Sequence, residues 1–154
     1  MSFQLSLSTE AVTGAYPDEP LMVDPESSVG DALQLLRAQS TGSVLVCEGS
    51  NLVGIFTERD ALKLMASEAD FDQPVSQVMS TDPVSLSAES NVGEAIKMMS
   101  EGGYRHLPIL SGEGEPTGMA TVFGIINYLV DHFPQTIYTL PPSPDSTPSD
   151  REGA

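Results

Sequence analysis

The stretch ESSVGDA (26–32) is written again as ESNVGEA (89–95), 63 residues further on. Read outward from that pair, the same offset sets Pro20 against Pro83, Leu33 against Ile96 and Leu36 against Met99. Later it slips to 64, where VGIFTERDAL (53–62) answers TGMATVFGII (117–126). Gly54 then meets Gly118 and Thr57 meets Thr121, but Asp60 meets Gly124. The chain carries two copies of one unit, and they differ at a candidate ligand contact.

Each copy spells the same order of elements. In the first, LMVDP (21–25) is extended. Ser28 can cap a helix whose apolar positions Val29, Ala32, Leu33 and Leu36 keep helical spacing. That helix is expected to end near Ser40–Gly42. SVLVC (43–47) reads as a buried strand, EGSN as a turn and LVGIFT (52–57) as the next strand. Residues 58–68 return to helical spacing through Ala61, Leu62 and Met65. In the second copy SQVMSTDPVSL crosses over and ends in a short strand. Asn91 caps a helix along Val92, Ala95, Ile96 and Met99, which Gly102-Gly103 should stop. HLPIL (106–110) and TGMATV (117–122) are strands around the turn SGEGEP, and FGIINYLVDHF (123–133) is a helix ended by Pro134.

The unit is therefore β-α-β-β-α, about 60 residues long. One such unit buries too little surface to be secure alone. The expected fold is α+β, two repeats packed with pseudo-twofold symmetry. The organisation expected is an N-terminal segment (1–17) with one short helix around Thr9–Thr13, repeat one (18–72), repeat two (73–134) and a Pro-rich tail (135–154). That tail has almost nothing to bury and is expected to be disordered.

Bulk composition narrows the function. The 154 residues hold 22 acids against 6 bases, a formal charge of −16. Such a chain repels a phosphate backbone, which argues against nucleic-acid binding and against anionic lipid. No apolar run approaches the roughly 18 residues of a membrane span, and MSFQLSLSTEAV lacks the pattern of a signal peptide. A single cysteine, Cys47, forms no internal disulfide and fits a cytoplasmic protein. Cys47 is expected to fill core. One Cys with two scattered His (His106, His132) makes no zinc constellation. Gly112-x-Gly114 with Gly118 has the wrong spacing for a dinucleotide fingerprint and joins two strands. Met65, Met98 and Met99 sit at helical core positions and read as packing. There is no nucleophile elbow, metal cluster or activated carboxylate pair, so the chain is not expected to be an enzyme.

The duplication, the spacing and the motif GIFTERD (54–60) resemble the CBS-domain pair, or Bateman module, of the stand-alone kind. The resemblance covers about residues 18–133. GIFTERD matches the family's G-h-x-T/S-x-x-D, with h apolar, and the second copy carries the family-like RHLPI (105–109). The resemblance implies regulatory binding of an adenosine compound, such as AMP, ADP, ATP or S-adenosylmethionine, in clefts between the repeats. Carried over by residue, the first cleft would use Thr57 and Asp60 with Arg59 nearby, Asp60 holding the ribose hydroxyls. The start of repeat two, Thr81, Pro83 and Val84, would flank the base. A second, weaker cleft would use Arg105, His106 and Thr121. The resemblance also implies a homodimer through the helices at 58–68 and 123–133, and an unknown regulated protein as partner.

The residues make chemical sense on their own. An ionised carboxylate accepts bonds from both hydroxyls of a ribose, and charge-assisted bonds are the strong kind. Thr57 sits where a strand becomes a helix, and the free N–H groups of a helix start favour an anion. T-x-x-D before a helix is also a capping box, in which Asp60 reaches back to the Thr57 N–H. The two uses are compatible, since the carboxylate could cap when the site is empty and bind when it is filled. The repeats are complementary: the first has the carboxylate but Gly42-Ser43 where the second has Arg105-His106, and the second has the bases but Gly124 for the carboxylate. One well-formed site and one altered site are expected, with Asp60→Ala weakening binding and Gly124→Ala doing little. Few bases lie within 18–133, namely Arg37, Arg59, Lys63, Lys97 and Arg105, which favours AMP or S-adenosylmethionine over ATP. The competing reading is an interaction scaffold that has lost its ligand, with Gly124 as a symptom of decay.

Overall fold

Two side-chain caps start the two matching helices. The Ser28 hydroxyl accepts from Asp31 N at 3.0 Å, and the Asn91 amide oxygen accepts from Glu94 N at 2.8 Å. Both helices close on a left-handed residue, Ser40 (φ 50°) and Gly103 (φ 73°). The computed structural model describes residues 7–133; the tail expected to be disordered, 135–154, lies outside them.

The order of elements is β1 (Met22–Val23), α1 (Val29–Gln39), β2 (Ser43–Glu48), β3 (Asn51–Thr57), α2 (Glu58–Ala66), β4 (Ser80–Thr81), β5 (Leu86–Ser87), α3 (Val92–Gly102), β6 (His106–Leu110), β7 (Pro116–Thr121) and α4 (Val122–His132). This is the expected β-α-β-β-α repeated, an α+β fold, with one addition. In each repeat a short parallel strand joins an antiparallel hairpin: β1-β2-β3 and β5-β6-β7. The addition is β4, which pairs antiparallel with β3, Gly54 against Thr81 and Ile55 against Ser80.

The opposite edge is completed in the same manner. Asp18 bridges Met119 of β7, with N–H to O=C bonds of 2.9 Å in both directions. Asp18 stands 63 residues before Thr81, so each repeat's lead-in closes the other repeat's sheet. The cores follow this exchange. Val75, Val78 and Met79, which precede β4, pack with Val29, Ala32, Val46, Phe56 and Ala61 of repeat one. Leu7, Val12 and Ala15 pack with Leu86, Val92, Ala95, Leu107 and Ile125 of repeat two. The short helix expected around Thr9–Thr13 is instead a helical end at 7–9 and a 3-10 turn at Val12–Gly14. The chain must leave helical geometry there to bring Asp18 alongside β7, and Tyr16 takes φ 54° on the way.

The helices cover one face of each sheet. The other face of the first sheet, Leu45 and Cys47 with Leu52 and Ile55, meets Met119 of the second. That is why SVLVC is apolar without alternation: Val46 faces the helices while Leu45 and Cys47 face the other repeat. Cys47 is core, as expected, and burial pushes its thiol pKa up, with Asp24 adding to the rise. Met99 is buried, but Met65 is 52% exposed and does not pack in the core. Leu64, one position earlier, takes the inward face of α2.

Candidate functional site

Gly54 to Asp60 is a strand running into a helix, and its local chemistry is a closed capping box. Asp60 Oδ2 accepts from Thr57 N at 2.9 Å and from the Thr57 hydroxyl at 3.2 Å, while Thr57 Oγ1 accepts from Asp60 N at 3.4 Å. Both bonds of the carboxylate use Oδ2, which leaves Oδ1 outside the box. Asp60 is half-buried, while its neighbours Glu58 and Arg59 are exposed.

A cleft of about 490 Å³ opens at this point. That volume lies within the range of small-molecule sites. Thr57, Arg59 and Asp60 line it on one side and Thr81, Pro83 and Val84 on the other. The structure thus brings together all six residues assigned to the first cleft by sequence. The pairing of β4 with β3 is what does so, because it lays the lead-in of repeat two across the Thr57 end of repeat one. Lys63, one of the few bases, and Asp82, within the stretch Thr81–Val84, also line this cleft, as does Tyr104, which carried no sequence signal of its own.

The pseudo-symmetric cleft is larger, about 1000 Å³. Thr121 caps α4 as Thr57 caps α2, its Oγ1 accepting from Gly124 N at 2.9 Å. Arg105, His106 and Thr121 line the cleft together with Tyr16, Asp18, Arg37 and Asn127. Sequence reasoning missed Tyr16 and Asp18. The repeat offset contained the signal, since Asp18 corresponds to Thr81 once the alignment of Pro20 with Pro83 is extended backward.

Two expectations need correction. Arg105 and His106 are not confined to the second cleft; with Gly42 and Glu58 they form a wall common to both. Gly124 is not a neutral position either. A Cβ there would lie 2.6 Å from the Tyr16 carbonyl oxygen, 3.0 Å from Thr121 Oγ1 and 3.2 Å from the Ala15 carbonyl oxygen. The N-terminal segment fills the space where a carboxylate-bearing side chain would stand. Gly124 is therefore required by close packing of backbone, and Gly124→Ala is not a silent control.

Electrostatics on the common wall are balanced. His106 is half-buried, and burial lowers its pKa despite the opposing pull of Glu58 and Asp18; Arg105 lowers it further. Below the second cleft, Tyr16 donates to Asp131 Oδ2 at 2.8 Å and stacks edge-on against Tyr128 at 6.0 Å. The Asp131 bond raises the Tyr16 pKa. Among the described residues no group of three or more His, Cys, Asp and Glu is placed to hold a metal ion. Among them, too, no helix is long and apolar enough to cross a membrane.

Comparison with known proteins gives the same duplication. The CBS domain family matches residues 14–67 and again residues 75–131. An uncharacterised 17.7 kDa protein of Acidianus ambivalens is 32% identical over 111 residues, 71% of this chain and 67% of that protein. A CBS domain-containing protein of Bacillus subtilis, YhcV, is 35% identical over 89 residues, 57% of this chain and 64% of that protein. The chain thus spans about two thirds of the length of these relatives. Among solved structures, a CBS domain protein of Pyrobaculum aerophilum complexed with AMP superposes with a TM-score of 0.71 at 18% identity, covering 79% of this chain and 98% of that one. The CBS domain pair of MJ0100, in complex with 5-methylthioadenosine and S-adenosyl-L-methionine, superposes at 0.69 and 19% identity, covering 76% and 97%. At such identities the likeness is one of fold. With both repeats matched across most of its length, this chain belongs to the CBS-domain family, as a tandem pair.

Proposed function

We propose that this chain is a regulatory module that binds an adenosine compound between its repeats and passes the bound state to a partner protein. One observation carries the reading: the 490 Å³ cleft gathers a ribose-competent carboxylate, Asp60, a helix start at Thr57, and the flanking wall Thr81–Val84 from the other repeat. A ligand there touches both repeats, so its affinity depends on their relative placement. That is the condition for a ligand to shift a conformational equilibrium. That two fold neighbours are described as complexes with AMP and with S-adenosylmethionine supports the same ligand class.

In this reading Thr57, Arg59 and Asp60 hold ribose and phosphate, and Thr81, Pro83 and Val84 flank the base. Thr121 serves the second cleft, and Arg105 and His106 serve the wall that both clefts share. The ligand is AMP or S-adenosylmethionine before ADP or ATP. Three basic side chains of the first cleft, Arg59, Lys63 and Arg105, face three acidic ones, Glu58, Asp60 and Asp82, which leaves little to offset a triphosphate. The module works in the cytoplasm, regulates rather than catalyses, and pairs with a second copy through α2 and α4. Leu62, Met65, Phe123 and Ile126 stand 66%, 52%, 77% and 45% exposed on those helices, a surface that suits burial against a second copy.

A thermal-shift panel of AMP, ADP, ATP, S-adenosylmethionine and NADH tests the ligand. Filling a site at a hundred times Kd adds about 2.7 kcal/mol of stability. For a protein of this size that is a shift of roughly 5–11 °C. No shift with any of them at millimolar concentration would leave the scaffold reading in its place.

A further inference from the structure

The wall common to the two clefts has a symmetry of its own. Each final helix donates its first N–H to the residue before the middle strand of the same repeat: Glu58 N to Gly42 O at 3.1 Å, and Val122 N to Arg105 O at 3.2 Å. Gly42 and Arg105 are therefore equivalent positions on either side of the pseudo-twofold axis. A symmetric module would set a base at each, one for each cleft. Here only one is present, and the other position is crowded. A Cβ on Gly42 would lie 2.8 Å from the His106 ring and 3.4 Å from Glu58 Oε1. The imidazole of repeat two occupies the room that a side chain of repeat one would need.

We propose that the two clefts compete for one guanidinium, that of Arg105, so that a phosphate-bearing ligand in either cleft weakens the other. Arg105 is exposed and lines both clefts, so its side chain has two places to go. Arg37 is the base found only in the second cleft, where it faces Asp18 and the shared Glu58. With Arg105 turned to the first cleft, the second is left with one base against two carboxylates. A phosphate placed there meets net negative charge together with the anion already bound across the wall. A ligand without phosphate makes no claim on Arg105 and fills the clefts independently. The module then reports the anionic charge of its ligand as well as the adenosine group.

This inference rests on the ligand reading above, and one experiment separates the two. Labelled protein is titrated with AMP and with adenosine by NMR. The amides of Thr57 and Gly124 report on the first and the second cleft, since each residue lines only one of them. Wild type is compared with Asp60→Ala, with Val84→Trp as an independent block of the first cleft, and with Arg105→Gln. In wild type the AMP isotherm at Gly124 is expected to be about tenfold weaker than in either blocked variant, within the usual scale of coupling between sites. The difference should vanish with adenosine and in Arg105→Gln. Equal AMP isotherms at Gly124 in wild type and blocked proteins overturn the competition and leave the ligand reading standing. A difference that persists in Arg105→Gln also overturns it, because the coupling then runs through something else. Silence of both amides to AMP removes both proposals.

Discussion

Replacing Gly124 by alanine should destabilise the protein, although two local considerations suggest the reverse. Gly124 lies within α4, where alanine is intrinsically better than glycine by roughly 0.5–1 kcal/mol. Its φ is not in the left-handed region, so the backbone would accept the new residue. The opposing effect is steric. The added Cβ would stand 2.6 Å from the Tyr16 carbonyl oxygen and 3.2 Å from that of Ala15, and both are backbone atoms that no rotamer change can remove. The segment is also held on both sides, by Ala15 in the core and by the two backbone hydrogen bonds between Asp18 and Met119. Overpacking of this kind costs about 1–3 kcal/mol. The net expectation is a loss of roughly 1 kcal/mol, or about 2–4 °C in melting temperature for a chain of this size. Thermal unfolding followed by circular dichroism measures it. Gly124→Asp, which restores the sequence symmetry with Asp60, should cost more, since it adds a carboxylate beside two carbonyl oxygens. A variant Gly124→Ala as stable as wild type, or more so, would refute the argument that the N-terminal segment holds this place.

Asp60→Asn should lower AMP affinity by tenfold or more in calorimetry while costing roughly 0.3–1 kcal/mol of stability through the charge lost at the helix start. Equal AMP affinity would place the ligand elsewhere. Leu62→Glu combined with Phe123→Glu should convert the proposed dimer to monomer in sedimentation, without loss of helical signal. Burial, aided by a bond to Glu10 and by its charge, pushes the Tyr128 pKa up to about 12, so the folded state keeps this proton where the unfolded chain loses it. Its stabilising contribution is complete below pH 10 and is lost as pH rises from about 10 to about 12; Tyr128→Phe should flatten the alkaline limb of stability against pH. Burial lowers the His106 pKa, so the unfolded state binds the proton more readily. Stability should fall as pH drops below about 6.5, and His106→Gln should remove that part of the acid slope.

Much of the fold was legible in the sequence because the elements are set by local rules. Ser28, Asn91, Thr57 and Thr121 each precede a run with helical spacing, and all four are caps in the structure. The stop signals at Ser40 and Gly103 hold to within a residue or two. The capping box of Thr57 and Asp60 was readable for the same reason, as it spans only four residues. What local rules do not carry is partnership over long separations. β4 is two residues long and solvent-exposed, and nothing in Ser80-Thr81 marks it as a strand until β3 lies beside it. Asp18 is the same case against β7.

Two units, their order of elements and the difference between Asp60 and Gly124 can all be read along the chain, because a repeat is a fact of one dimension. What surrounds those two positions emerges only when the chain is folded. Folding brings the N-terminal segment onto Gly124, so that the position without a carboxylate is also one where backbone leaves no room for a side chain. It sets His106 against Gly42, so that Arg105 stands alone between two clefts. Both outcomes depend on which backbone occupies a few cubic ångströms near the pseudo-twofold axis. Excluded volume between residues 64 positions apart, or more than a hundred, leaves no mark on periodicity or spacing.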